Sequence, residues 1–221
     1  MALTHIPTEQ TTAITDLILA VLAVGCAVYL NRIGDLARWK TNLWTAVLAF
    51  LAAAAALGAA VHGFQMAPAF QALLWHPIKL FLGLLVALFI VAAVYDIRGE
   101  AAARRLLPVM VLVGVGFFGI TLIWPGRFLV FIVYEILAML FALAGYIWLA
   151  GRGRLRGAWL MTGGILTTIA AAGVQAGRLL AFTLIWPFDH NGVYHLIQMA
   201  GIVLILAGLR RDLRPRQILS S

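Results

Sequence analysis

Seven long apolar stretches, at about 13–30, 42–63, 77–95, 106–124, 128–150, 158–184 and 192–209, limit what this chain can fold into more than any other feature. Each is close to the roughly 17–25 residues that a helix needs to cross a hydrocarbon layer. Lipid offers no hydrogen bonds to the backbone, so each stretch must satisfy its own N–H and C=O groups as a helix. The charged content is 11% and the mean hydropathy +1.02, against roughly 25% charged residues in a soluble domain. These features predict an all-α integral membrane protein, a seven-transmembrane-helix bundle.

One domain is expected over residues 13–209, preceded by a polar tail at 1–12 and followed by a basic cytoplasmic tail at 210–221. The tail "MALTHIPTEQTT" lacks the basic start and small-residue cleavage site of a signal peptide, so it reads as retained. Lys79 sits near the start of the third stretch, and the preceding "FQMAPAFQALLWHPIK" could form a short interfacial helix. Cys26 is the single cysteine, which excludes an internal disulfide and a paired-cysteine metal or redox site.

Basic residues in short loops stay on the cytoplasmic side. Arg32, Arg38 and Lys40 follow the first helix; Arg98, Arg104 and Arg105 the third; Arg152, Arg154 and Arg156 the fifth; Arg210, Arg211, Arg214 and Arg216 the seventh. Thirteen of the 16 Lys and Arg residues therefore share one face, and only Lys79, Arg127 and Arg178 are left to the other. The N-terminus is expected outside and the C-terminus in the cytoplasm. Anionic lipid headgroups account for the net charge of +8 without a nucleic acid partner. Arginine far outnumbers the two lysines, which hints at a GC-rich bacterial source and hence the bacterial inner membrane.

In this topology all five histidines, His5, His62, His76, His190 and His195, fall on the outer half. Asp16, Lys79, Glu135, Gln175 and Arg178 join them there. Ionisable groups at that depth are costly unless they face one another or a water-filled cavity, so a polar pocket is expected. Asn191, His195 and Gln198 stand at i, i+4 and i+7 on one face of the seventh helix. On the sixth, Thr168, Gln175 and Arg178 share a face, while Gly173 and Gly177 form a small-xxx-small pair suited to close helix approach. Glu135 is the expected counter-ion of Arg178, with Asp16 and Asp189 as alternatives, and Asp189 also suits a cap of the seventh helix. The pentapeptide "TLIWP" at 121–125 recurs at 183–187, where tryptophan and proline would anchor and stop the fourth and sixth helices.

His62 and His195 lie at similar depth on different helices. Neutral imidazoles so placed can hold zinc, which in hydrolytic sites takes three protein ligands and a water. His190, Asn191 or Asp189 would supply the third. An interhelical hydrogen-bond network is the competing reading of the same residues.

"GAAVH" (58–62) in the second helix and "NGVYH" (191–195) opening the seventh, with the outside N-terminus, make the chain resemble the superfamily of alkaline ceramidases and progestin and adiponectin receptors. That resemblance implies a seven-helix fold and a zinc-dependent hydrolase of a lipid amide or ester. Members have Ser-x3-His in helix 2, an aspartate near helix 3 and His-x3-His in helix 7. Here Gly58 replaces the serine, Lys79 stands near helix 3 without an acid, and Asn191 takes the first position of the last pair. His62 and His195 carry over. In such a hydrolase Glu135 or Asp189 would shuttle the proton, and Lys79 or Arg178 would stabilise the oxyanion or hold a lipid headgroup.

Two other classes use the same residues. A heptahelical binding or sensor protein would hold a lipid or small polar ligand through Asp16, Lys79, Gln175, Arg178, Asn191 and Gln198. A b-type haem protein would use His62 and His195 as axial ligands. A retinal Schiff base is disfavoured, because the seventh helix has no lysine.

Overall fold

The computed structural model describes residues 2–34, 37–124 and 128–213. Among them are seven helices, all long and apolar enough to cross a membrane: α1 (Pro7–Ile33), α2 (Arg38–Gly63), α3 (Pro68–Arg98), α4 (Glu100–Ile123), α5 (Phe128–Gly151), α6 (Ala158–Gly177) and α7 (His190–Leu213). Six of them close a ring in the order α1, α2, α3, α5, α6, α7, and α4 lies against α3. Arg127, Arg214, Arg216 and the remainder of the expected basic tail at 214–221 lie outside the described residues.

Lipid tails are as apolar as leucine, so a bundle in lipid is held by close packing and interhelical polar contacts. The α6–α7 seam shows the first. A Cβ on Gly164 would meet the Gly201 carbonyl oxygen at 2.8 Å, and one on Gly201 would meet the Gly164 carbonyl at 3.1 Å. The expected small pair is elsewhere: a Cβ on Gly173 would reach nothing within 4 Å. Spacing alone finds small residues but not the side of the helix that has a neighbour.

Four boundaries differ most from the sequence reading. Helix α1 begins at Pro7, not 13, because Pro suits a helix start and the polar Thr11 and Thr12 turn inward. The segment before it is tied down, with Thr4 N–H bonded to the Gly63 carbonyl and Gln65 N–H to that of Ala2 (2.9 Å each). Helix α3 is continuous from Pro68 through Pro77, so the expected interfacial helix is its first turns. Helix α4 starts at Glu100, directly after Gly99 (φ 87°) breaks the chain from α3. Helix α6 stops at Gly177, not 184. Arg178 takes the left-handed conformation (φ 50°), and its N–H and that of Leu179 bond back to Gln175 and Val174 carbonyls. The second "TLIWP" thus does not close a helix; it runs from the end of β1 (Phe182–Thr183) through the turn to the start of β2 (Pro187–Phe188).

Candidate functional site

Three polar groups of residues sit along the inside of the ring. The first is at the end carrying the N-terminus of α1 and the start of α7. Asp189 precedes α7 and caps it, its Oδ1 accepting from the N–H groups of Asn191 and Gly192 at 3.0 Å each. Thr12 donates to the same oxygen (3.2 Å) and Thr11 to the Pro187 carbonyl (2.8 Å), which fixes α1 against the entry to α7. Gln175 of α6 donates to Asn191 Oδ1 (3.2 Å).

One turn further in, His195 of α7 is buried against α1. Its Nδ1 is 2.9 Å from Thr15 Oγ1 and its Nε2 is 3.2 Å from Asp16 Oδ1. Thr15 also donates to the Thr12 carbonyl (2.9 Å), and a hydroxyl has one proton to give. With that proton spent, His195 Nδ1–H donates to Thr15, and a single proton bridges Nε2 and Asp16. The carboxylate fits because position 58 has no side chain: a Cβ there would lie 2.7 Å from Asp16 Oδ2. Replacing Thr15 by Val, which removes one partner of the imidazole, is expected to lower stability by about 0.5–1.5 kcal/mol. Thermal unfolding in nanodiscs measures it.

His62 is not in this cluster's hydrogen-bond network. Its Nδ1 is 2.6 Å from Glu9 Oε2, and its ring packs edge-on against Trp75. His190 is half-buried at the start of α7, and its side chain makes no hydrogen bond or ion pair among the described residues. The zinc that the resemblance implies needs three donors converging on one point. Both nitrogens of His195 face protein partners, and among the described residues no three His, Cys, Asp or Glu side chains are grouped to hold a metal. As arranged, these residues do not fit that ion. Axial ligation of a haem meets the same obstacle at His195.

The second polar group faces a cavity of about 60 Å³ walled by α2, α3, α5, α6 and α7. Glu135 lines it, buried, with no hydrogen-bond or salt-bridge partner among the described residues. Gln198 Oε1 and Trp44 Nε1 are buried without partners too, and both residues line the same space. The expected Glu135–Arg178 pair does not form. Early termination of α6 leaves Arg178 exposed as a cap while Glu135 points into the bundle. Lys79 is half-buried on α3 with no ion-pair partner among the described residues, and it does not line the cavity.

The third group is at the opposite end and was not foreseen. Lys40, counted above as a loop cation, is 2% exposed within α2. Its Nζ is paired with Asp96 of α3 and lies 2.7 Å from Asp212 Oδ2 of α7. Tyr146 of α5 donates to Asp96 Oδ2 at 2.7 Å. The available signal was two aspartates among the basic residues that end α3 and α7.

A family model covers residues 11–214, nearly the whole of the ring and the three polar groups. The chain belongs to the DUF6962 family, a family of unknown function. The family match carries no link to the ceramidase and receptor superfamily. No curated protein and no solved structure matches the chain.

Proposed function

We propose that this member of the DUF6962 family is an integral membrane binding protein of the sensor type. It would lie in the bacterial inner membrane with its N-terminus outside, hold a small ligand in the central cavity, and transmit occupancy to the cytoplasmic Lys40 cluster. Membrane insertion is supported by a surface that water would not tolerate. Val21, Leu112, Ile123 and Trp159 are 66%, 71%, 70% and 65% exposed, on three different helices. The basic helix ends support the orientation.

The observation that carries the binding reading is Glu135 with Gln198. Buried polar groups are normally hydrogen-bonded, and leaving one unpaired costs about 1–3 kcal/mol. Both line a cavity, so a molecule entering it supplies the partner. Transmission follows from shared helices. Trp44, Phe89, Glu135 and Gln198 wall the cavity on α2, α3, α5 and α7, and the same four helices carry Lys40, Asp96, Tyr146 and Asp212. A ligand favouring a wider cavity would shift the bundle toward a form in which those contacts lengthen.

The test is thermal unfolding in nanodiscs with short-chain alcohols, amines, carboxylates and amides, on wild type and on Leu85→Phe, which fills the cavity, alongside the metal content of the protein. Saturable stabilisation lost in Leu85→Phe is expected, since a ligand at about 100 times its Kd adds about 2.7 kcal/mol. No stabilisation by any compound would overturn the reading. About one zinc per chain, lost in both His62→Ala and His195→Ala, would replace it with the zinc hydrolase of a lipid amide or ester.

A further inference from the structure

Resting on that binding reading, we infer that the cavity recognises an amine: a small alkylammonium, held by Glu135 and Gln198 against an aromatic wall. The hydrogen-bonding inventory of the cavity sets the ligand's chemistry. Glu135 offers carboxyl oxygens, and Gln198, besides its amide N–H groups, a buried carbonyl oxygen without a partner among the described residues, so each presents an acceptor to the space. Glu135 stands about two turns into α5 and Gln198 about two turns into α7, each counted from the same end of the bundle. A complementary head group must donate several hydrogen bonds, and an ammonium has up to three or four to give.

Charge points the same way. No lysine, arginine or histidine lines the cavity, and the two candidate cations, Lys79 and Arg178, are elsewhere. An ammonium therefore meets a carboxyl group with no competing positive charge. A carboxylate or phosphate ligand would bring a negative charge into a low-dielectric interior with no cation in the lining to pair it, which disfavours it strongly. Trp44, Phe89, Phe131 and Tyr194 also line the space. Aromatic faces attract cations through their quadrupole and cover the alkyl carbons equally well. Trp44 Nε1–H, a buried donor without a partner among the described residues, is left for a lone pair elsewhere on the ligand, such as a hydroxyl.

Size limits the alkyl part. A dry cavity of about 150 Å³ takes a benzene, so about 60 Å³ has room for roughly two to four heavy atoms. A ligand of four heavy atoms binds with a Kd of about 40 micromolar at the very best, and millimolar binding is the realistic expectation. A longer amine would have to part the helices, which is the movement the sensor reading requires.

The experiment is ligand-observed NMR titration of propylamine against propanol, which differ in the head group alone, with wild-type protein in nanodiscs and empty nanodiscs as the blank. Wild type is expected to prefer the amine by about 10- to 100-fold, the difference between a charge-assisted and a neutral hydrogen bond in a buried site. Glu135→Gln, which keeps the shape and removes the carboxyl group, is expected to abolish the preference. Equal binding of the two compounds to wild type would overturn the amine inference and leave a binding protein of other selectivity. Persistence of the preference in Glu135→Gln would overturn it as well. Binding of neither compound, nor of any other small amphiphile, would remove the binding reading itself. The wild-type comparison needs no variant, so the inference stays falsifiable if Glu135→Gln fails to fold.

Discussion

Replacing Lys40 by Met is expected to destabilise the protein by about 3–5 kcal/mol, the cost of removing one partner from a buried ion pair. Methionine matches the stem of lysine in length and apolarity, so packing is preserved and the charge is what is lost. Asp96, 2% exposed, then keeps one donor, the Tyr146 hydroxyl, and Asp212 loses its lysine partner altogether. Two carboxylates left together without the cation also repel each other. Thermal unfolding in nanodiscs, compared with the triple replacement Lys40→Met, Asp96→Asn, Asp212→Asn, separates the charge effect from the geometry. The triple variant is expected to recover most of the loss, since removing every member of a buried ionic group costs far less than stranding some of them. Equal destabilisation in both proteins would show instead that the lysine acts through packing.

That cluster also shows where sequence reading stops. The count of seven helices was legible because each segment must satisfy its own backbone in lipid, a local requirement that leaves a local signature. The face of α7 was legible for the same reason: Asn191, His195 and Gln198 repeat with the helix period and all turn toward protein partners or the cavity. Lys40 was not. A lysine near a helix end satisfies the charge rule whether it points into a loop or into the bundle, and its partners come from α3 and α7, well separated along the chain. Arg178 and Glu135 failed similarly. Their pairing assumed that α6 runs to 184, but the chain turns left-handed at Arg178, and the expected counter-ion went with it. Hydropathy does not see that turn, because the residues after it, Leu179 to Trp186, are as apolar as a helix core while standing exposed. The His195 cluster was half visible: Asp16 and His195 were singled out separately, whereas their contact depends on an absent side chain on a third helix, Gly58.

Gly58→Ser is therefore the substitution that tests whether the Ser-x3-His pattern suits this bundle. The change would restore the Ser-x3-His pattern with His62, and if that pattern suited the fold it should be harmless or stabilising. The geometry predicts the reverse. A Cβ at 58 would lie 2.7 Å from Asp16 Oδ2, 3.1 Å from Cγ and 3.2 Å from Oδ1, so the carboxylate must move. It is held on the other side by His195 Nε2, and Thr15 on the same helix holds the opposite ring nitrogen. Displacing Asp16 strains the α1–α2 contact and strands a proton-sharing pair in the interior, an expected loss of about 1–3 kcal/mol. A double-mutant cycle decides the cause. In an Asp16→Ala background the space beside position 58 is empty, so the added serine should cost less than about 0.5 kcal/mol and could gain a hydrogen bond. Additive losses in the double variant would mean that serine at 58 is excluded by something other than Asp16. Non-additivity of the predicted size would show that the Asp16 carboxylate of α1, held by His195, is what keeps position 58 of α2 free of a side chain.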